Sequence, residues 1–227
     1  MPLATRHSPP ATVSVVDDDA SLLRALSRLL TLAGYTVQTF ASAREFLAQH
    51  RPQARGCVVA DLRMPDVSGL ELQAALARSG NPLPVIFLTG HGDIPTSVHA
   101  MQRGAEDFLT KPVKKEDLFR AVERALAHDA AAFEQHAHQR ELQQQIEMLT
   151  AREREVLSQV IAGKLNKEIA ASLGAAERTI KAHRASIMEK LQVHSPAELG
   201  RIAQEAGFGA SNQRPAASSQ SSMISNL

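Results

Sequence analysis

Apolar positions along the first 130 residues follow two rhythms. Solid runs such as Val13-Ser14-Val15-Val16, Val58-Val59-Ala60 and Val85-Ile86-Phe87-Leu88 alternate with stretches where apolar residues return every three or four positions. The runs predict strands buried on both faces, and the spaced stretches predict amphipathic helices. Strands are expected at Val13–Val16, Thr36–Phe40, Val58–Asp61, Val85–Leu88 and Asp107–Leu109. Helices are expected from Leu22 to Ala33, where Gly34 stops the first one, and at Ser42–Gln49, Ser68–Arg78, Ile94–Arg103 and Lys115–Ala127. Five such units in about 120 residues imply a parallel sheet with helices on both faces. The pattern leaves the strand order open.

After residue 128 the rhythm changes. A Gln- and His-rich stretch without Gly or Pro carries a thin apolar stripe, Phe133, Leu142, Ile146 and Leu149. It reads either as a linker helix pairing with its own copy or as a solvated spacer. An all-α block follows. Thr150-Ala151-Arg152-Glu153 matches a capping box, and Ser195-Pro196-Ala197-Glu198 a second one with proline at the first helical position. Helices are expected from 150 to Gly163, at Asn166–Leu173, at Glu177–Leu191 and after Ser195. Residues 1–11 and 210–227 read as disordered tails.

Composition narrows the picture only slightly. The 227 residues suit two modest domains, and 4% aromatics leave the cores to Leu, Val, Ile and Ala. A net charge of +1 singles out neither nucleic acid nor membrane. The single cysteine, Cys57, excludes an intrachain disulfide and reads as a buried small hydrophobe. No apolar run is long enough to span a bilayer, and the first residues lack a signal-peptide core, so a cytoplasmic location is expected.

The candidate chemistry lies at strand ends. In a parallel sheet, ligands bind beyond the carboxyl ends of the strands. Asp17, Asp18 and Asp19 follow the first strand, Asp61 ends the third, Thr89 ends the fourth, and Lys111 follows the fifth. Carboxylates this close repel, and a divalent cation relieves the repulsion; hard oxygen donors suit Mg²⁺. A carboxylate can also attack a phosphoryl group, with Lys111 and the Thr89 hydroxyl stabilising its oxygens.

Four motifs in order, Val15-Val16-Asp17-Asp18-Asp19, Asp61-Leu62-Arg63-Met64-Pro65-Asp66, Leu88-Thr89-Gly90-His91-Gly92-Asp93 and Phe108-Leu109-Thr110-Lys111-Pro112, resemble a two-component receiver domain of the FixJ type over residues 12–128. The resemblance implies a flavodoxin-like fold of order 2-1-3-4-5. It implies that Asp61 accepts a phosphoryl group from a sensor histidine kinase. It assigns Mg²⁺ to Asp17, Asp18, Asp61 and the backbone carbonyl of Arg63, phosphoryl sensing to Thr89 and Lys111, and an aromatic switch to Phe108. Asp19 is left as a helix cap or a further ligand. Arg63 and His91, each two residues past a key group, are expected to set phosphoryl lifetime.

The C-terminal block reads as helix, tight turn, helix. Nine Lys or Arg against seven Asp or Glu over residues 150–209 favour DNA only weakly. The segments Leu149-Thr150-Ala151-Arg152-Glu153, Asn166-Lys167-Glu168-Ile169-Ala170 and Thr179-Ile180-Lys181-Ala182-His183-Arg184 resemble the LuxR-type four-helix DNA-binding domain over residues 149–207. The resemblance places Lys181, Ala182 and Ala185 toward base edges, and Lys164, Asn166, Thr179 and Arg184 on the DNA backbone. One departure is Ala176, where the family commonly has a capping serine.

The expected whole is therefore a receiver at 12–128, a helical linker at 129–148 and a helix-turn-helix domain at 149–207. It reads as a transcription regulator rather than an enzyme, with a kinase, promoter DNA and RNA polymerase as partners, no membrane, and homodimerisation on phosphorylation. Two alternatives remain: a constitutive DNA-binding protein with the receiver as a dimerisation module, and a Mg²⁺-dependent phosphatase. The second lacks an acid/base carboxylate two residues after Asp61, since Arg63 stands there.

Overall fold

The computed structural model describes residues 11–51, 53–79, 82–90 and 104–208. His91, the helix expected at Ile94–Arg103, residues 1–10 of the tail expected at 1–11, and all of the tail expected at 210–227 lie outside them. The chain divides into two units between residues 134 and 135.

The first unit holds strands β1 (Thr12–Val16), β2 (Thr36–Phe40), β3 (Gly56–Asp61), β4 (Val85–Thr89) and β5 (Asp107–Thr110). All pairings are parallel, and the order is β2-β1-β3-β4-β5, the flavodoxin-like arrangement. β3 and β4 are buried along their whole length, whereas β2, at the edge, is mostly open to solvent. The solid apolar runs are thus the central strands, covered on both faces.

Helices α1 (Ala20–Leu32), α2 (Ala43–Gln49) and α3 (Gly69–Arg78) each begin at a side-chain cap. Asp19 Oδ1 accepts from the amides of Ser21 and Leu22, Ser42 from that of Glu45, and Ser68 forms a full capping box with Glu71. Alternate strand residues feed two cores. Val16, Val58, Ala60 and Phe87 pack with α2 and α3, while Val15, Val59, Ile86 and Leu88 pack with α1 and α4. Two glycines let β3 fit. A Cβ on Gly56, at φ 132°, would lie 1.9 Å from the Thr12 carbonyl oxygen, and one on Gly69 would lie 2.5 Å from the Asp61 carbonyl oxygen.

Helix α4 (Lys115–Glu147) is longer than the pattern suggests. It does not end near Ala127 but continues through the stretch read as a linker. The apolar stripe there is used within the chain. Leu142, Ile146 and Leu149 are buried in the core of the second unit, among Val156, Leu157, Ile169, Ile180 and Ile187. Neither expected reading, pairing with a second copy or full solvation, describes these three side chains. Burying each removes apolar area worth roughly 2 kcal/mol from water.

The second unit adds α5 (Ala151–Ile161), α6 (Asn166–Leu173), α7 (Glu177–Lys190) and α8 (Pro196–Glu205). The Thr150 capping box forms in both directions. The Ser195 one does not: Ser195 accepts from the Glu198 amide, but the Glu198 carboxylate accepts from His194 rather than from the cap residue.

Candidate functional site

The carboxyl ends of β1, β3 and β4 and the turn after β5 bring the predicted residues together. Asp17, directly after β1, is fully buried, Asp61 at the end of β3 is nearly so, and Asp18 is exposed. One carboxylate oxygen from each lies within 4.8 Å of the others. Lys111 reaches over from the turn, its Nζ 2.7 Å from Asp17 Oδ2 and 3.1 Å from Asp61 Oδ1. Its backbone amide donates to the Thr89 carbonyl at 2.7 Å, tying the lysine turn to the end of β4. The Asp19 amide donates to Asp17 Oδ1, so the acidic turn is held by its own backbone.

Burial raises the Asp61 carboxyl above its ordinary pKa, Lys111 opposes this, the Asp17 charge adds to it, and the Arg63 amide lowers it. Burial pulls the Lys111 ammonium down, but its hydrogen bonds to Asp17 and Asp61 outweigh that and leave it raised. Two buried carboxylates therefore share the Lys111 ammonium. An exposed third carboxylate beside them completes a hard-oxygen set that fits Mg²⁺, which keeps part of its water shell.

Asp19 acts as the α1 cap and stands outside the clustered set. Arg63 has an exposed side chain. Thr89 is buried, with its hydroxyl donating to the Gly90 carbonyl at 3.2 Å. Phe108 is half-buried on β5, its ring 5.1 Å from that of Phe87, the side chain that also abuts Gly69 beside Asp61.

In the second unit, α7 buries Ile180 and Ile187 and turns its opposite face outward. Lys181, Ala182 and Ala185 lie exposed on that face, and Lys164 and Thr179 are exposed as well. Arg178, which the sequence pattern sets on the side away from the core but to which no DNA contact was assigned, shares the face three residues before Lys181 and four before Ala182. Its signal was the position opposite Ile180 and Ile187 on the helical wheel. Arg184 and Asn166 are half-buried and bonded to each other, Nη1 to Oδ1 at 2.8 Å, so they join α7 to the start of α6. Arg152 Nη2 donates to the Leu173 carbonyl at the end of α6.

The first turns of α6 and α7 follow Leu165 and Ala176, and neither side chain caps. Glu153, by contrast, is more than a cap. Besides accepting from Thr150, it accepts from Lys190 Nζ at 2.7 and 2.9 Å and from Ser186 Oγ at 2.8 Å. The Lys190 ammonium, then the Thr150 amide, hold its carboxyl at about 2.

Comparison with known proteins agrees with both halves of this geometry. Residues 13–123 match the model of the response regulator receiver domain, and residues 147–203 that of the bacterial regulatory proteins of the luxR family. Nodulation protein W of Bradyrhizobium diazoefficiens is 41% identical over 92% of each chain. Transcriptional regulatory protein FixJ of Rhizobium meliloti is 41% identical over 88% of this chain and 98% of its own. The solved structure of the response regulator StyR is 45% identical, covers 86% of this chain and 99% of its own, and superposes with a TM-score of 0.72.

Proposed function

The chain belongs to the two-component response regulators that carry a LuxR-type DNA-binding domain, and on that premise we propose that Asp61 is its phosphoacceptor and that phosphorylation there controls DNA binding by the second unit. The observation that carries this reading is the Lys111 ammonium held between Asp17 and Asp61 at 2.7 and 3.1 Å, with Asp18 alongside. A carboxylate oxygen of Asp61 takes the phosphoryl group from the phosphohistidine of a sensor kinase, and the donor P–N bond breaks. Lys111 and the Thr89 hydroxyl bind the phosphoryl oxygens. Asp17, Asp18, Asp61 and the Arg63 carbonyl hold Mg²⁺, which when bound neutralises charge on the transferring group. Arg63 and His91 govern how readily water reaches the acyl phosphate. Phe108 moves with Thr89 as the switch. Beyond accepting and losing this group the chain has no enzymatic activity of its own.

Residues 12–128 serve as the receiver, 129–148 as the linker and 149–207 as the output domain. Phosphorylated receivers pair, and the homodimer presents two α7 helices to adjacent promoter half-sites, where RNA polymerase is met; the setting is the cytoplasm. Lys181, with Ala182 and Ala185 flush beside it, reads base edges. Lys164, Asn166, Thr179 and Arg184 bind the DNA backbone. Among the described residues no helix is long and apolar enough to cross a membrane.

The test is to treat the full chain with beryllium fluoride and Mg²⁺, and separately with a small phosphodonor, while following mass and DNA affinity. Dimerisation with tighter binding, lost in Asp61→Asn, is expected. Unchanged mass and affinity with Asp61 unlabelled would refute the reading in favour of constitutive DNA binding, and steady phosphate release from an added monoester would favour a phosphatase.

A further inference from the structure

Helix α4 packs on the sheet through Leu118, Ala121, Val122 and Ala125, all fully buried. One turn on, the same stripe reaches an acid. Asp129 is 6% exposed, and Arg55 Nε donates to its Oδ2 at 2.8 Å from a side chain only 9% exposed. Another turn on, the Phe133 ring lies over the guanidinium, 4.2 Å from Cζ to centroid. Beside them His128 Nδ1 lies 2.9 Å from Glu106 Oε2. From 134 to 141 no side chain is buried. Residues 128–133 are therefore the last grip of the first unit on this helix.

A buried ion pair is seldom the most stable filling for such a position, since apolar side chains of equal volume often do as well. It does select one geometry. A surface of alanines allows a helix to turn or slide, whereas an acid that must meet one arginine under one ring does not. The gripping residues are also placed tellingly. Arg55 immediately precedes β3, whose other end is Asp61, and Glu106 immediately precedes β5, which bears Phe108 and leads to Lys111. Two of the strands that carry the site at one end hold the helix at the other, and close-packed strands pass displacement rather than absorb it.

We propose that the Arg55–Asp129 pair, roofed by Phe133, is a positioning element that sets where α4 leaves the first unit, and that phosphorylation at Asp61 alters DNA binding only while it is intact. This rests on Asp61 being the phosphoacceptor.

The experiment uses the full chain with Asp129→Asn, Phe133→Ala and Phe133→Leu. Asp61 labelling by acetyl phosphate and Mg²⁺ is measured first, then DNA affinity with and without the phosphoryl group. Labelling within twofold of the unsubstituted chain is expected throughout. The ratio of the two affinities should fall to within twofold of one in Asp129→Asn, fall at least threefold in Phe133→Ala, and recover partly in Phe133→Leu. A merely structural pair would lower thermal stability and leave that ratio alone. An unchanged ratio in folded Asp129→Asn, or in Phe133→Ala should the first not fold, overturns the proposal. So does loss of labelling in step with the ratio, which would make the pair a support of the site itself. If the unsubstituted chain takes no label, the phosphoacceptor reading fails first.

Discussion

Replacing Glu153 by glutamine should destabilise the second unit by an amount that depends on pH in a defined window. The carboxylate lies at the start of α5 with 5% of its side chain exposed, and accepts from Lys190, Ser186 and the Thr150 amide. Its pKa is held down from 4.5 to about 2. Taken in full, that depression is worth about 3 kcal/mol, at roughly 1.4 kcal/mol per pKa unit. Lys190, however, is 37% exposed, and solvent screens its share, so about 1–2 kcal/mol is the expected loss at neutral pH. The sign follows from the depressed value. The stabilisation is fully present above pH 4.5 and is lost as pH falls toward 2.

The chain offers a convenient readout. It has no tryptophan and one tyrosine, Tyr35, which lies between α1 and β2 of the first unit. Intrinsic fluorescence therefore reports the first unit alone, and far-ultraviolet circular dichroism reports both. Urea unfolding at several pH values should show the Glu153→Gln transition moved to lower urea in the dichroism, with the tyrosine transition unmoved. The gap between the two chains should close between pH 4.5 and 2. A gap that stays constant across that range, or a midpoint unmoved at pH 7, would refute the assignment of this stability to the ionised carboxylate.

Other substitutions probe the remaining features. Ala176→Ser supplies the missing cap of α7 and should raise the thermal midpoint of the second unit, worth about 1 kcal/mol; Leu165→Ser should do the same for α6. Asp61→Asn should make the first unit more stable at neutral pH, because the raised carboxyl pKa means that folding opposes its ionisation and stability falls as pH rises through that titration; equal tyrosine transitions at pH 7 would count against this. Gly69→Ala drives a Cβ to 2.5 Å from the Asp61 carbonyl oxygen and 2.8 Å from Phe87, so it should cost about 1–3 kcal/mol and slow labelling of Asp61. Lys181→Ala should relax DNA sequence preference as well as lower affinity, read by selection from a random library.

The acidic cluster is legible from the chain only in part. Any parallel sheet delivers its strand ends to one edge, but Asp17, Asp61, Thr89 and Lys111 converge only because β1, β3, β4 and β5 lie side by side in that order. Solid runs mark the central strands, but the pattern does not say which strand neighbours which, and the order entered through family resemblance alone. Periodicity also states that a face is covered without saying by what. The stripe of Leu142, Ile146 and Leu149 has the same spacing whether it meets a second chain or, as found, the core of its own unit. Charged partners are harder still. Thr150-x-x-Glu153 announces a cap, but Lys190 is 37 residues away, and only the crossing of α5 and α7 brings it to the same carboxylate. Asp129 sits among alanines and histidines, where an acid reads as solvated, and its partner Arg55 is 74 residues earlier. A buried ion pair is a break in an apolar stripe at each of its two ends, and a break looks the same as an exposed position. Features of this kind, where the two halves explain each other only in three dimensions, are where the structure adds most to the sequence, and here they lie at the end of α4's grip on the sheet and at the junction of α5 with α7.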